Sequence, residues 1–187
     1  RSFCEQIVGV ANRFSARMAF TLGALLADVP HTRRTQIIAT ATDADLIDRF
    51  DLERCRYEGP TGIVGVLHDA LSRNGFPTAS LWAAVPGYAA QLPSPRATFA
   101  LLERACTMMG TPAPVASVAA EIADYDAKVA ALISDDDDLV TYVSRLEAMI
   151  DEMDDEDETA DDLDDFDDTD PGILVDEVEQ FLRNQDD

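Results

Sequence analysis

Two short runs, Met18 to Leu26 and Ala79 to Val85, are apolar with almost no polar alternation. A strand with one wet face alternates, so a run apolar on both faces needs cover on both sides, as in a parallel sheet between helices. The first half of the earlier run and the whole of the later one are therefore predicted as buried strands. Thr35 to Thr42, rich in β-branched residues, is predicted as a third.

Amphipathic helices separate these runs. Phe3, Ile7, Val10 and Phe14 recur at helical spacing over residues 2–15, and the chain opens inside this pattern, so further strands are expected upstream of Arg1. Thr42 or Asp43 is placed to cap a short helix over Ala44 to Phe50. Gly59-Pro60 ends the next connection, after which Ile63, Val66, Leu67, Ala70 and Leu71 mark a helix closed by Asn74-Gly75. Ser94-Pro95 supplies a cap and a first-turn proline for a helix running to about Met109 before Gly110. This alternation predicts an α/β fold over residues 1–114, a three-layer α/β/α sandwich around a mainly parallel sheet.

Past Thr111-Pro112-Ala113-Pro114 strands stop. Val118, Ile122, Tyr125, Val129 and Leu132, then Leu139, Val143, Leu146 and Ile150, form two apolar stripes that predict an αα-hairpin over residues 115–150. Ser134 to Asp138 supplies its turn and cap. The hairpin must bury its stripe on the sandwich or on another subunit. Residues 151–170 hold 14 acidic side chains and no basic one, the composition of a disordered tether. A last amphipathic helix, with Leu174, Val178, Phe181 and Leu182 on one side, is predicted within residues 171–187. Calcium binding by the acidic run is disfavoured, because counting back from Gly172 puts Thr169 and Pro171 where an EF-hand loop needs ligands.

The formal net charge of -23 is not evenly spread. Through Val115 there are 11 Lys and Arg against 10 Asp and Glu, which leaves 3 against 27 for the remainder. With no basic face, nucleic-acid binding is disfavoured. Cys4, Cys55 and Cys106 are odd in number and lack any CxxC spacing, which argues against a disulfide framework or a zinc site and fits a reducing, cytoplasmic setting. No run approaches the ~18 apolar residues of a membrane span.

No GxSxG, Walker lysine loop or HExxH pair is present, so no catalytic residue, metal ligand or cofactor is assigned. Polar residues do gather at the predicted strand ends. His31, Thr32 and Arg33 follow the first run, Tyr88 follows Ala79 to Val85, and Tyr57, Glu58, Gly59, Thr61 and Gly62 precede the helix at Ile63. Open α/β sheets bind ligands at such edges, and glycine-rich helix starts present free N–H groups, so these nine residues are the candidate ligand pocket. Glu58 as a base with His31 as acid or oxyanion partner is one use; an ion pair of Glu58 with Arg33 or Arg56 that ties loops together is the other. His68 is expected as a solvated surface residue, and Cys106 as a packed one.

Several blocks in this order carry a resemblance: Leu22-Gly23-Ala24-Leu25-Leu26-Ala27-Asp28-Val29-Pro30-His31-Thr32-Arg33, Arg56-Tyr57-Glu58-Gly59-Pro60-Thr61-Gly62-Ile63, Ser80-Leu81-Trp82-Ala83-Ala84-Val85-Pro86 and Pro93-Ser94-Pro95. Together they resemble the actinobacterial branch of the proteasome assembly chaperone family, prokaryotic relatives of the second eukaryotic assembly chaperone. The likeness covers roughly Arg1 to Ile150. It implies a phosphorylase/hydrolase-like fold, homo-oligomers, a proteasome-related protein partner and no established reaction. It also implies sheet strands before Arg1. Gly87 stands where the family commonly has a histidine or similar polar residue, which removes one possible pocket group.

Two function classes follow. One is a non-enzymatic assembly protein or adaptor that uses the hairpin and acidic tail as contact surfaces. The other is a small-molecule binder or hydrolase that uses the loop pocket.

Overall fold

The computed structural model describes residues 2–55, 62–113 and 118–164. Helix α1 (Ser2–Arg13) leads into strand β1 (Ala19–Ala27), followed by β2 (Ile37–Ala41), α2 (Ala44–Phe50), β3 (Glu53–Arg54), α3 (Ile63–Arg73), β4 (Thr78–Pro86) and a 3-10 turn at Gly87–Ala89. Helices α4 (Pro95–Met109), α5 (Ala119–Ser134) and α6 (Asp137–Asp164) complete the described chain. The sheet order is β1-β4-β2-β3.

Strand β4 is the strand that the sequence describes as apolar on both faces. Ala79, Leu81 and Ala83 are fully buried, and its register with β1 runs in parallel from Ala19 opposite Thr78 to Ala27 opposite Pro86. Leu81 and Ala79 meet Ala105 and Met108 of α4 and Leu46 of α2, forming the larger core on one face. On the other face Leu71 of α3 packs with Val8 of α1 and Phe76. This gives the three layers. At a site as closed as Leu81, truncation to alanine costs about 2–5 kcal/mol.

The sheet is mainly parallel, as expected, with one pairing that departs from this: β1–β4 and β2–β3 are parallel, while β2 runs antiparallel to β4. A parallel crossover needs a dozen or more residues, usually with a helix, and the short connection over residues 28–36 has none, so β2 returns in the opposite direction. One expectation is corrected: strand β1 is not buried on both faces. It lies at the sheet edge, with Leu22 51% and Leu26 62% exposed, because α4 packs over β4 and reaches only its near side.

Caps follow the residue types. Asp43 accepts from the Leu46 N–H at 3.0 Å, and Ser94 accepts from the Ala97 N–H at 3.2 Å. Gly110 ends α4 at φ +68°, a conformation that glycine tolerates without a Cβ penalty.

Helices α5 and α6 form a tight hairpin, with Asp136 accepting from the N–H groups of Asp138 and Leu139 at 3.0 and 3.1 Å. Tyr125, Val129, Ile133 and Val143 bury their stripe against Ala89 and Tyr88 of the turn after β4. The sandwich of the same chain therefore covers the stripe. Helix α6 does not stop at Ile150 but continues to Asp164, so residues 151–164 are helical where a disordered tether is expected from composition. Adding residues to a formed helix fixes one residue per new hydrogen bond, far less unfavourable than nucleation, and Arg33 neutralises the first carboxylate of the run at Asp151. The remaining tether and the predicted helix at 171–187 lie outside the described residues.

Candidate functional site

The β1–β2 connection starts where β1 ends beside Pro86, so its residues face the turn that follows β4. The two loops meet at His31 and Tyr88. The Tyr88 hydroxyl accepts from the backbone N–H of His31 at 2.8 Å and lies 3.0 Å from His31 Nδ1. The imidazole tautomer sets which partner donates in that second bond, since the phenol oxygen has a further lone pair as well as its own proton. His31 is buried, and desolvation lowers its pKa; Asp126 opposes this, Arg96 adds to it, and Glu147 opposes it. Burial likewise pushes the Tyr88 phenol up to about 12, so the pair is neutral at physiological pH.

The hairpin closes over this pair. Tyr142 of α6 meets the Tyr88 ring edge to face at 6.3 Å, and its hydroxyl donates to Asp28 at 2.7 Å. One turn on, Thr32 donates to Glu147. A further turn on, Arg33 grips Asp151 through Nε at 2.6 Å and Nη2 at 2.8 Å, with Glu147 3.8 Å from Nη1. The guanidinium holds the Asp151 carboxyl below its usual range. At the root of the hairpin, Arg96 of α4 holds both carboxylate oxygens of Asp126 at 2.6 Å.

Of the nine candidate residues, His31 and Tyr88 are thus brought together, and Thr32 and Arg33 are turned onto α6. Gly62 is the N-cap of α3 at φ −76°, and a Cβ there meets nothing within 4 Å, so neither strain nor crowding requires glycine. Tyr57, Glu58, Gly59 and Thr61 lie outside the described residues.

His68 corrects the expectation of a solvated residue. It is half-buried under α3, its Nε2 lies 2.8 Å from Thr21 Oγ1, and desolvation lowers its pKa. Thr21 continues to Ser80 at 3.0 Å, whose Oγ accepts from Trp82 Nε1 at 2.9 Å. This chain ties α3 to β1 and β4. The hairpin partners Tyr142, Glu147 and Asp151 are the functional residues that sequence reasoning missed. Glu147 and Asp151, four residues apart, share one helix face, a signal hidden by the acidic composition around them.

No group of three or more His, Cys, Asp or Glu residues suited to a metal occurs among the described residues, and no described helix is long and apolar enough to cross a membrane. The loop residues spend their hydrogen bonds on one another and on α6.

The fold and this loop cluster define a three-layer α/β/α protein whose sheet-edge loops are bound by a C-terminal helical hairpin. The PAC2 family profile matches residues 1–133. The chain belongs to the PAC2 family, in keeping with the resemblance read from its sequence blocks. It is similar to a PAC2 family protein of Streptomyces avermitilis, with 39% identity over 76% of this chain and 60% of that one, at a TM-score of 0.68. A proteasome-assembly chaperone homologue of Mycobacterium tuberculosis is 38% identical, over 76% of this chain and 61% of that one, at a TM-score of 0.65. A Mycobacterium tuberculosis protein of unknown function is 25% identical over 86% and 55%, at a TM-score of 0.75. The chain therefore spans about three fifths of the length of the first two. None of the curated proteins matches it.

Proposed function

We propose that this chain works by binding protein, as a chaperone-type factor in the assembly of proteasome-related complexes, with a homo-oligomer in the cytoplasm as its working form. The observation that carries the reading is the use of Thr32, Arg33 and the His31-bonded Tyr88 to fix α6 in place. Groups committed to a helix serve positioning better than turnover. What they position is a long helix whose outer face exposes Met149 and Met153 and whose far half is strongly acidic. Flexible methionine beside charge suits adaptable protein contacts. The 38% identical relative described as a proteasome-assembly chaperone homologue supports the same direction.

The test is assembly of purified actinobacterial proteasome α and β subunits with and without the chain, followed by native gels and sedimentation. Faster or more complete assembly, weakened when residues 151–187 are removed, is expected. Unchanged assembly together with no co-sedimentation of either subunit rejects the reading. Sedimentation of the chain alone reports the oligomer.

A further inference from the structure

We propose that Asn74-Gly75, at the end of α3, is a self-modification site: it converts to aspartate and isoaspartate by intramolecular loss of ammonia, at a rate set by opening of the last helical turn, and the product loosens the α1 and α3 layer. The site lies apart from the protein-binding surface of α6 and does not depend on that reading.

Of the three asparagines, Asn12, Asn74 and Asn184, only Asn74 precedes glycine. A side chain on the following residue hinders approach of its backbone nitrogen to the asparagine amide, and glycine has none. The fold needs glycine here. Gly75 has φ +81°, where a residue with a Cβ is strained, and this left-handed step lets the Phe76 N–H return to Leu71 O at 3.1 Å and seats Phe76 against Leu71 and Val8. Asn74 and Gly75 are both exposed, so water and base reach them.

The reaction needs no second molecule but water. A solvent base takes the Gly75 amide proton and the nitrogen attacks Cγ of Asn74. The new C–N bond closes a five-membered imide as the Cγ–Nδ2 bond breaks, and the side-chain nitrogen leaves as ammonia, taking a proton back from solvent. Water then adds to one of the two imide carbonyls and breaks its bond to nitrogen. One opening gives aspartate; the other routes the main chain through Cγ and gives isoaspartate.

The folded chain restrains each participant. Gly75 N–H donates to Ser72 O at 2.9 Å, Asn74 N–H to Leu71 O at 3.0 Å and Asn74 Nδ2 to Ala70 O at 2.8 Å. The ψ of Asn74 is 13°, close enough to helical to turn the Gly75 nitrogen away from the side chain. Ring closure therefore waits for these bonds to open, and helix ends open far more readily than cores.

The product no longer fits. A carboxylate replaces the amide that donates to Ala70 O, at the negative end of the α3 dipole, while the neighbouring Arg73 is held by Asp69 at 3.0 Å. Isoaspartate also adds one main-chain atom to the short link between α3 and β4, in which Phe76 is buried and Pro77 O accepts from the Ala19 N–H at 3.0 Å.

The 187-residue chain, native and in urea, and a synthetic peptide of residues 70–79 are incubated in one mildly alkaline buffer and digested, and mass spectrometry with electron-based fragmentation follows aspartate and isoaspartate at position 74. Native conversion is expected at Asn74 ahead of Asn12 and Asn184, about ten- to a hundredfold slower than in the peptide because three hydrogen bonds must open, with urea restoring the peptide rate. Asn74→Asp, prepared directly, should raise hydrogen exchange several-fold along α1 and α3 and leave α4 unchanged. No product in the native chain once the peptide has reacted completely, a native rate equal to that of the peptide, a rate that urea does not alter, or unaltered exchange in Asn74→Asp overturns the proposal.

Discussion

Gly23 on β1 lies opposite Trp82 of β4, and a Cβ added there would stand 2.7 Å from Cε3 and Cζ3 and 3.0 Å from Cη2 of the indole. Comfortable carbon contacts fall at about 3.5–4.0 Å, so Gly23→Ala requires the ring to move by roughly 1 Å. The ring is not free to do so at no cost, because its Nε1 donates to Ser80 at 2.9 Å and Ser80 is in turn bonded to Thr21. Overpacking of this kind costs about 1–3 kcal/mol, and loss of the indole bond about 1 kcal/mol more. Alanine in a strand returns roughly 0.5–1 kcal/mol of backbone entropy. The net expectation is a destabilisation of about 1–3 kcal/mol. Urea unfolding can be followed by the fluorescence of the single tryptophan, with an unchanged slope expected. The decisive comparison is made by circular dichroism in a Trp82→Leu background, where the same substitution should become neutral or stabilising. A Gly23→Ala protein within about 0.5 kcal/mol of the parent, or a penalty that persists without the indole, refutes the reasoning.

Three further outcomes are expected. His31 and His68 both have pKa values lowered by desolvation, so the unfolded chain takes up their protons first; their contribution is complete above pH 6.5 and declines as pH falls from there through the lowered folded values. Urea midpoints should accordingly drop between pH 7.5 and 5.5, by at most about 1.4 kcal/mol per pH unit for each histidine, and a rise would contradict the assignment. Arg33→Gln should speed hydrogen exchange several-fold along residues 142–151 without changing it in β4, since the guanidinium fixes α6 through Asp151 and Glu147; uniform exchange in both proteins would show that the pairs do not hold the hairpin. A thiol reagent should label exposed Cys55 at once and buried Cys4 only on unfolding, as read by mass spectrometry of quenched samples.

The parts of the fold legible in sequence are those written in local chemistry. Ser94, Pro95 and Gly110 bracket α4, Asp43 caps α2, and the unbroken apolar character of Ala79 to Val85 marks the central strand. Direction and position in the sheet are not local properties. Met18 to Leu26 is as apolar as the central strand, yet it lies at an edge, because burial depends on how many neighbours the topology supplies. The same holds for the candidate site. His31 and Tyr88 were readable as loop residues at one sheet edge, and they do meet. Their covering partners Glu147 and Asp151 lie 115 and 118 residues from Thr32 and Arg33, and nothing in the local pattern of an acidic run distinguishes the two carboxylates that bind from those that do not.

The open side of β1 bears on how the molecule behaves in solution. Among the described residues no strand pairs the outer edge of β1, and its nine residues of ladder with Leu22 and Leu26 exposed form a seam along which two copies of this 187-residue chain could pair. Opposing that is a charge of -23, carried almost wholly by the C-terminal third, which holds molecules apart at long range. The two effects respond differently to salt. Screening shortens the repulsion to about 8 Å at physiological ionic strength and further above it, while apolar contact is unaffected or strengthened. The charge of the C-terminal third therefore opposes association along the sheet edge, and light scattering should show association rising with salt, more so once residues 151–187 are removed. A scattering signal independent of salt in both chains would mean that the seam is not adhesive.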